Sequence, residues 1–328
     1  MNPIQTLFNS FSKKRVLIIG DVMIDSYIIG KVDRVSPEAP VPVVDVTGFD
    51  QRLGGAGNVA LNIKAMGATP ILCSVVGQDK EGKELRDIMM KAGLTCNGLI
   101  HSDKRKTTNK TRVLGNNHQL LRIDHEITND LDVVDTFLLE QRFAEELENC
   151  DVVIFEDYNK GVLHSKNIEL LIQKCVAKGV PTIVDPKKAN FLAYKNVTLF
   201  KPNLKEIKEG LKIETNLSEQ SNLNNAISEL MTSLNKEFTL VTLSERGVVI
   251  TGKSETHHIP AHIRTIADVS GAGDTVVSVA ALCLSVKTDA RTLAELSNLA
   301  GGLVCEITGV VPINKEQLLT EAIKVLGK

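Results

Sequence analysis

Asp268-Val269-Ser270-Gly271-Ala272-Gly273-Asp274 sets two glycines and a carboxylate directly before Thr275–Leu282, an apolar run free of Gly and Pro. The run reads as a buried helix. The glycines let the preceding turn approach a ligand closely, and free N–H groups at a helix start attract an anion. A carboxylate beside a phosphate is electrostatically costly unless it has a task, and Asp274 could take the proton from an attacking hydroxyl. An ordinary Gly-rich turn with a capping Asp has the same composition, so the rest of the chain must decide.

A second cluster, Gly54-Gly55-Ala56-Gly57-Asn58-Val59-Ala60, exposes backbone amides and an Asn able to donate and accept at a hydroxyl. It lacks the GK[ST] ending of a Walker loop and does not fit the GxGxxG dinucleotide pattern. The chain has 328 residues, a net charge of -2 and 24% charged residues. That balance gives no reason to expect nucleic acid or an acidic membrane surface as a partner. Residues 1–14 carry no long apolar run and no small-residue cleavage site, so a secretory signal is not expected there. Cys73, Cys96, Cys150, Cys175, Cys283 and Cys305 are scattered without a CxxC pair, which fits reduced thiols of a cytoplasmic protein. No histidine spacing suggests a metal centre.

The elements that must position these residues alternate. Val16–Ile19, Ile71–Val76, Val152–Phe155, Thr182–Val184 and Leu240–Leu243 read as strands, and Val59–Met66, Lys83–Ala92, Ser165–Lys178 and Leu223–Leu234 as helices. This predicts an α/β fold with a mostly parallel sheet covered on both faces. Acids stand just after the strands, at Asp21, Glu156-Asp157 and Asp185, where the ligand crevice of such sheets lies. Two segments break the rhythm. Gly30–Asp50 holds Pro37, Pro40, Pro42 and alternating valines, and Lys110–Asp124 outlines a hairpin turning at Gly115-Asn116-Asn117. Both predict strands of a small β lid, about 30–50 and 109–124, within one domain spanning 1–328.

Gly54–Ala60 and Asp268–Asp274 match, in order and separation, the two signatures of the ribokinase-like (PfkB) carbohydrate kinases. The chain is identified on these motifs as resembling that family. GDVMID from Gly20, SPEAPVPV from Ser36, LLRID from Leu120, DYNKG from Asp157 and DPK from Asp185 further resemble its D-glycero-D-manno-heptose-7-phosphate kinase branch. The similarity covers roughly residues 14 to 320. It implies a three-layer ribokinase-like sandwich that transfers phosphate from ATP to the anomeric hydroxyl of heptose 7-phosphate, on the route to nucleotide-activated heptose. Many members of the branch carry a nucleotidyltransferase domain with an HxGH motif. This chain has none, so a stand-alone kinase is expected, with nucleotidyl transfer on another polypeptide.

By resemblance Asp274 is the base, and Gly271, Ala272 and Gly273 offer amides to the transferred group. Asn203 and Glu206 match the NxxE motif that acts on Mg²⁺ through water, although the same residues read as a helix capping box. Thr242, Ser244 and Gly247 match the nucleotide-phosphate turn, with Ser244 where many relatives have Gly. Asn298 falls near the adenine position, and Asp268 at a monovalent-cation (K⁺) site. For the sugar phosphate the resemblance implies Asp25, Gly54, Gly55 and Asn58 at the hydroxyls. Arg52, Arg112, Lys160 and Lys187, which fall in or beside matching motifs, are the candidate cations for its phosphate. Replacing Lys187 by Ala is then expected to raise the KM for the sugar phosphate more than that for ATP. A homodimer paired through the lid is expected, since a bare lid edge is a liability. Rival readings are a kinase for another sugar or sugar phosphate and a non-catalytic sugar-phosphate sensor. A Rossmann oxidoreductase is rejected because GDVMID follows the first strand instead of GxGxxG.

Overall fold

The computed structural model describes residues 2–116 and 118–327; Asn117, assigned above to a hairpin turn, lies outside them. In chain order the first strands are β1 (Arg15–Gly20), β2 (Val22–Val35), β3 (Pro42–Gly55), β4 (Thr69–Gly77), β5 (Leu99–Ser102), β6 (Thr108–Gly115) and β7 (His118–His125). They are followed by β8 (Val152–Glu156), β9 (Thr182–Asp185), β10 (Leu199–Phe200), β11 (Phe238–Thr242), β12 (Val248–Thr251) and β13 (Thr256–Ile259). The helices are α1 (Pro3–Phe11), α2 (Ala56–Ala65), α3 (Lys80–Lys91), α4 (Val133–Leu147) and α5 (Ser165–Lys178). The later ones are α6 (Leu204–Gly210), α7 (Gln220–Leu234), α8 (Ala272–Ser285), α9 (Ala290–Val304) and α10 (Lys315–Leu326).

Nine strands form one sheet in the order β13-β12-β11-β10-β9-β8-β1-β4-β5. From β11 to β5 every pairing is parallel, and β12 and β13 close one edge antiparallel. Strands covered on both faces should read as unbroken apolar runs, and β1 and β8 do. Their side chains alternate between two cores. Val16, Ile18, Val152 and Ile154 meet α2, α8 and α9, while Leu17, Ile19, Val153 and Phe155 meet α4, α5 and α7. The result is the three-layer ribokinase-like sandwich. Residues 3–11, which sequence reasoning placed in no element, form α1. Its Phe8 and Phe11 are buried in the first of these cores.

The smaller sheet has the order β3-β2-β6-β7. It begins at Val22, earlier than the expected residue 30, because β2 and β3 are long partners of 14 residues each. The chain therefore passes between the sheets at Asp21, and Gly54 and Gly55 close β3 immediately before α2. The run Val22–Asp25, nearly all apolar, carries no alternation by which to recognise it as a strand. Among the described residues no helix is long and apolar enough to cross a membrane.

Candidate active site

Asp274 stands in the first turn of α8, whose start requires Gly271 in the left-handed region at φ 80°. A Cβ at Gly271 would lie 2.9 Å from Asn58 Nδ2. That closeness lets two chain segments far apart in sequence share one carboxylate. Asn58 Nδ2 donates to Asp274 Oδ2 at 2.7 Å, and the Tyr158 hydroxyl donates to Oδ1 at 2.8 Å. Behind Asn58, Asn62 donates to the Asn58 carbonyl oxygen and accepts from Thr275 Oγ1, so the α2–α8 contact fixes the amide.

The ends of three parallel strands bring further charge to the same place. Glu156 closes β8, Asp185 closes β9, and Lys201 follows β10. Carboxylate oxygens of Glu156, Asp185 and Asp274 lie within 4.8 Å of one another, all buried. Lys201 Nζ is 2.9 Å from Asp185 Oδ2, and Lys187 Nζ bridges Asp185 Oδ1 at 3.3 Å and Glu206 Oε1 at 2.6 Å. Lys187 also lies over the Tyr158 ring, 5.1 Å from its centre. Asn203 and Glu206 do form the capping box at the start of α6, with reciprocal bonds of 2.9 and 2.8 Å. The second Glu206 oxygen is what reaches Lys187.

Burial dominates the ionisation of this cluster. It pushes Asp274 up to about 6 against the bonds from Asn58 and Tyr158, with Asp185 adding repulsion. Burial, then Asp185 and Asp274, hold Glu156 well above the usual carboxylate range. Asp185 is buried too, but Lys187 and Lys201 outweigh that and hold it low. The Tyr158 phenol is pushed far up by burial and by Asp274, so it stays a donor. A base must be ionised to act. At low substrate, kcat/KM is therefore expected to fall about tenfold per pH unit below about 6 and to level off above it. A pH–rate profile that stays flat through that region would remove Asp274 from the proton transfer.

Four carboxylates (Glu156, Asp185, Glu206, Asp274) thus face two ammonium groups, leaving two negative charges uncompensated when all are ionised. Both oxygens of fully buried Glu156 lack a hydrogen-bond partner. An orphaned carboxylate in a cluster short of two positive charges fits a divalent cation. Sequence reasoning placed Glu156 and Asp185 at the crevice, as acids just after strands, but gave neither a role, and it missed Tyr158 and Lys201 as site residues.

Of the sugar-side candidates, Asp25, Arg52, Gly54, Gly55 and Arg112 lie on the smaller sheet, whereas Asn58 is in α2, Lys160 follows β8 and Lys187 follows β9. Arg112 Nη1 lies 2.5 Å from Asp25 Oδ1, and Arg52 Nε lies 2.8 Å from Asp50 Oδ2. Their guanidinium carbons sit 5.5 and 5.3 Å from the centre of the Tyr27 ring, so two cations from the strands on either side of β2 converge on one aromatic ring. Gly54 is required there, because a Cβ would come within 2.3 Å of Asp25 Oδ2. Gly55 has φ 58°. Lys160 pairs with Glu126 at 2.6 Å.

The Thr242 N–H donates to the Pro202 carbonyl, which ties the following turn to Asn203. That turn needs positive φ at Ser244 (54°) and Gly247 (87°), so Ser244 adopts a backbone in which glycine is unstrained. Asp268 is buried enough to be pushed up, yet bonds from Ser270 and Gly309 win and hold it below its ordinary range. Asn298 is not drawn into the cluster. Among the described residues its hydrogen bond goes from the side-chain amide to the Pro260 carbonyl, at 2.9 Å.

A parallel sheet under two helical layers, a carboxylate seated in a Gly-Ala-Gly helix start and a second small sheet make up a ribokinase-like fold. Residues 13–317 match the model of the pfkB family carbohydrate kinases, and the chain belongs to that family. Among curated proteins it is 38% identical over 309 residues to the bifunctional protein HldE of Desulfatibacillum aliphaticivorans, covering 94% of this chain and 63% of that protein. It is 39% identical over 305 residues to the bifunctional protein HldE of Campylobacter curvus, covering 92% of this chain and 64% of that one. The chain thus spans less than two thirds of the length of these relatives. Among solved structures, phosphofructokinase-2 from Escherichia coli in complex with potassium superimposes with a TM-score of 0.80 at 18% identity, covering 96% of this chain and 100% of that one. Arabidopsis thaliana ribokinase complexed with ribose and ATP gives 0.73 at 14% identity, covering 94% and 99%. At such identities the two structures speak for the fold.

Proposed function

We propose that this kinase phosphorylates the anomeric O1 of D-glycero-D-manno-heptose 7-phosphate to the 1,7-bisphosphate. The observation that carries the chemistry is Asp274, seated at the start of α8 between the Asn58 amide and the Tyr158 hydroxyl. In the reaction the O1 proton passes to Asp274 as O1 bonds to the γ-phosphorus. The bond from that phosphorus to the bridging oxygen breaks, and its electrons leave with ADP. Amides of Gly271 and Gly273 face the charge that develops on the transferred group, whereas the Ala272 N–H, expected to join them, donates to the Val269 carbonyl oxygen at 3.3 Å. Mg²⁺ would be held by Glu156 and Asp185, with Glu206 acting through water as the NxxE resemblance implies, while Asn203 is spent on capping α6; the ion would supply charge neutralisation to the ATP phosphates. Glu156→Gln is expected to weaken Mn²⁺ binding about 10- to 100-fold, read by electron paramagnetic resonance rather than turnover. An unchanged Mn²⁺ affinity would remove Glu156 from the set.

The substrate assignment draws on the SPEAPVPV, LLRID, DYNKG and DPK stretches and on relatives identical at 38 and 39% of the aligned positions. It also draws on Arg52 and Arg112 meeting at Tyr27, a pair able to exchange Asp50 and Asp25 for an incoming phosphate. On this reading the smaller sheet is a lid, and its closure depends on that phosphate. Coupled ADP release over a panel of manno-heptose 7-phosphate, sedoheptulose 7-phosphate, fructose 6-phosphate and ribose tests it. Turnover confined to the manno-heptose phosphate is expected; preference for another member would replace the substrate while keeping the Asp274 chemistry.

The lid also carries the dimer reading. Phe49 is 77% exposed, and Leu121 and Ile123 are half exposed on the same sheet. A second copy would cover them, so sedimentation at micromolar concentration is expected to show a dimer. A single monomeric species there would count against pairing.

A further inference from the structure

A cavity of about 560 Å³ opens between α7 and the β12–β13 turn, a volume ordinary for a small-molecule site. It lies beside the start of β11, whereas Thr242 and its turn lie at the other end of that strand. The separation is roughly 15 Å at the usual rise per residue. The cavity is therefore not part of the catalytic cluster.

Its floor is Lys236, only 3% exposed. The ammonium group donates to the Leu230 carbonyl oxygen and sits 5.4 Å from the centre of the Phe200 ring. Those contacts leave N–H groups of Lys236 unspent. A buried ammonium is costly unless a negative charge meets it, and no Asp or Glu lines the cavity. The other charged or titratable residues of the lining are Lys253 and His258, both exposed at the rim. The Ser228 hydroxyl adds a neutral donor, while that of Thr232 is spent on the Ser228 carbonyl oxygen at 3.0 Å, and Met231 supplies an apolar wall. Three basic side chains with a hydroxyl donor and no acid make a complement for a small anion with several acceptor oxygens.

We propose that this cavity binds the phosphate group of a small molecule, with Lys236 as the buried contact and Lys253 and His258 at the rim. The state of the amine fits, since burial without a compensating charge pushes it down to about 7 and a bound phosphate would restore its charge. The volume exceeds what a lone phosphate needs, so the ligand is a phosphate ester whose organic body reaches toward Met231.

Protection from acetylation tests this on the full chain. The neutral Lys236 amine attacks a carbonyl carbon of acetic anhydride, acetate leaves with the electrons of the broken C–O bond, and the nitrogen loses its proton to water, giving an amide that peptide mass mapping locates. Saturating glycerol 3-phosphate is expected to slow acetylation of Lys236 by about tenfold, the effect of raising the pKa of the amine by about one unit. Glycerol should give no such protection, and Lys253→Ala, an exposed change that leaves the fold intact, should weaken it. Equal protection by glycerol and glycerol 3-phosphate, protection indifferent to Lys253→Ala, or acetylation of Lys236 unchanged by the phosphate ester would each overturn the proposal.

Discussion

Asp274→Asn is expected to lower kcat by about 10²–10⁴, the usual contribution of a positioned general base, while ATP still binds. The substitution keeps the size and shape of the side chain. It removes the lone pair that takes the O1 proton and turns one hydrogen-bond acceptor toward Asn58 or Tyr158 into a donor. Stability separates lost chemistry from lost fold. The folded-state pKa of Asp274 lies above its unfolded value, so its contribution to stability is fully present below the unfolded pKa and is lost as pH rises through about 6. At neutral pH the wild-type carries that cost and the uncharged Asn does not. Thermal unfolding of the variant at neutral pH should therefore show no drop that could account for inactivity. Normal turnover would take Asp274 out of the mechanism. A collapse of the melting temperature with loss of ATP binding would mean the change had broken the site as a whole.

Lys187→Ala is expected to lower kcat by about 10²–10³, the scale for losing one preorganised group at developing charge. The DPK resemblance implied a selective rise in the sugar-phosphate KM, and the geometry changes that expectation. Lys187 is bonded to Asp185 and Glu206, and Asp185 lies within 4.8 Å of Asp274. In the proposed reaction O1 would lie beside Asp274, and the 7-phosphate at the opposite end of a seven-carbon sugar. A cation in this cluster would then act on the phosphoryl group in flight, and the distant phosphate would fall to Arg52 and Arg112. Removal also leaves two carboxylates short of a partner. Breaking a fully buried pair costs about 3–5 kcal/mol; here about 1–3 kcal/mol is expected, because Lys201 remains and the Lys187 side chain is 26% exposed. Steady-state kinetics with each substrate varied decides between the two roles. An unchanged kcat with a raised sugar-phosphate KM would return Lys187 to the sugar.

Much of this arrangement was legible beforehand. The apolar strands Val16–Ile19 and Val152–Phe155 announce themselves because a strand buried on both faces cannot be anything but apolar. The start of α8 was legible because a glycine turn before an apolar helix has few other uses. The placement of Ser165–Lys178 agrees with α5 end for end, since Gly179 at φ 67° stops it. By contrast β10 has two residues and β12 and β13 four each, too short for periodicity to register. Lys201 gave no sign, because a Lys before a Pro is ordinarily solvated; only its seat beside the end of β9 makes it a partner for Asp185.

The sequence by itself determined the family, the sandwich and the identity of Asp274, because glycine turns, apolar runs and motif order are local properties of the chain. Tertiary structure alone decided which charges meet. Asn58 and Asp274 are 216 residues apart, and Tyr158 and Asp274 are 116 apart. The same folding drew Lys187 into the acidic cluster, left Glu156 without a partner and sealed Lys236 away from any carboxylate. Ion pairing and desolvation depend on distance and burial, and neither is encoded at any one position of the chain.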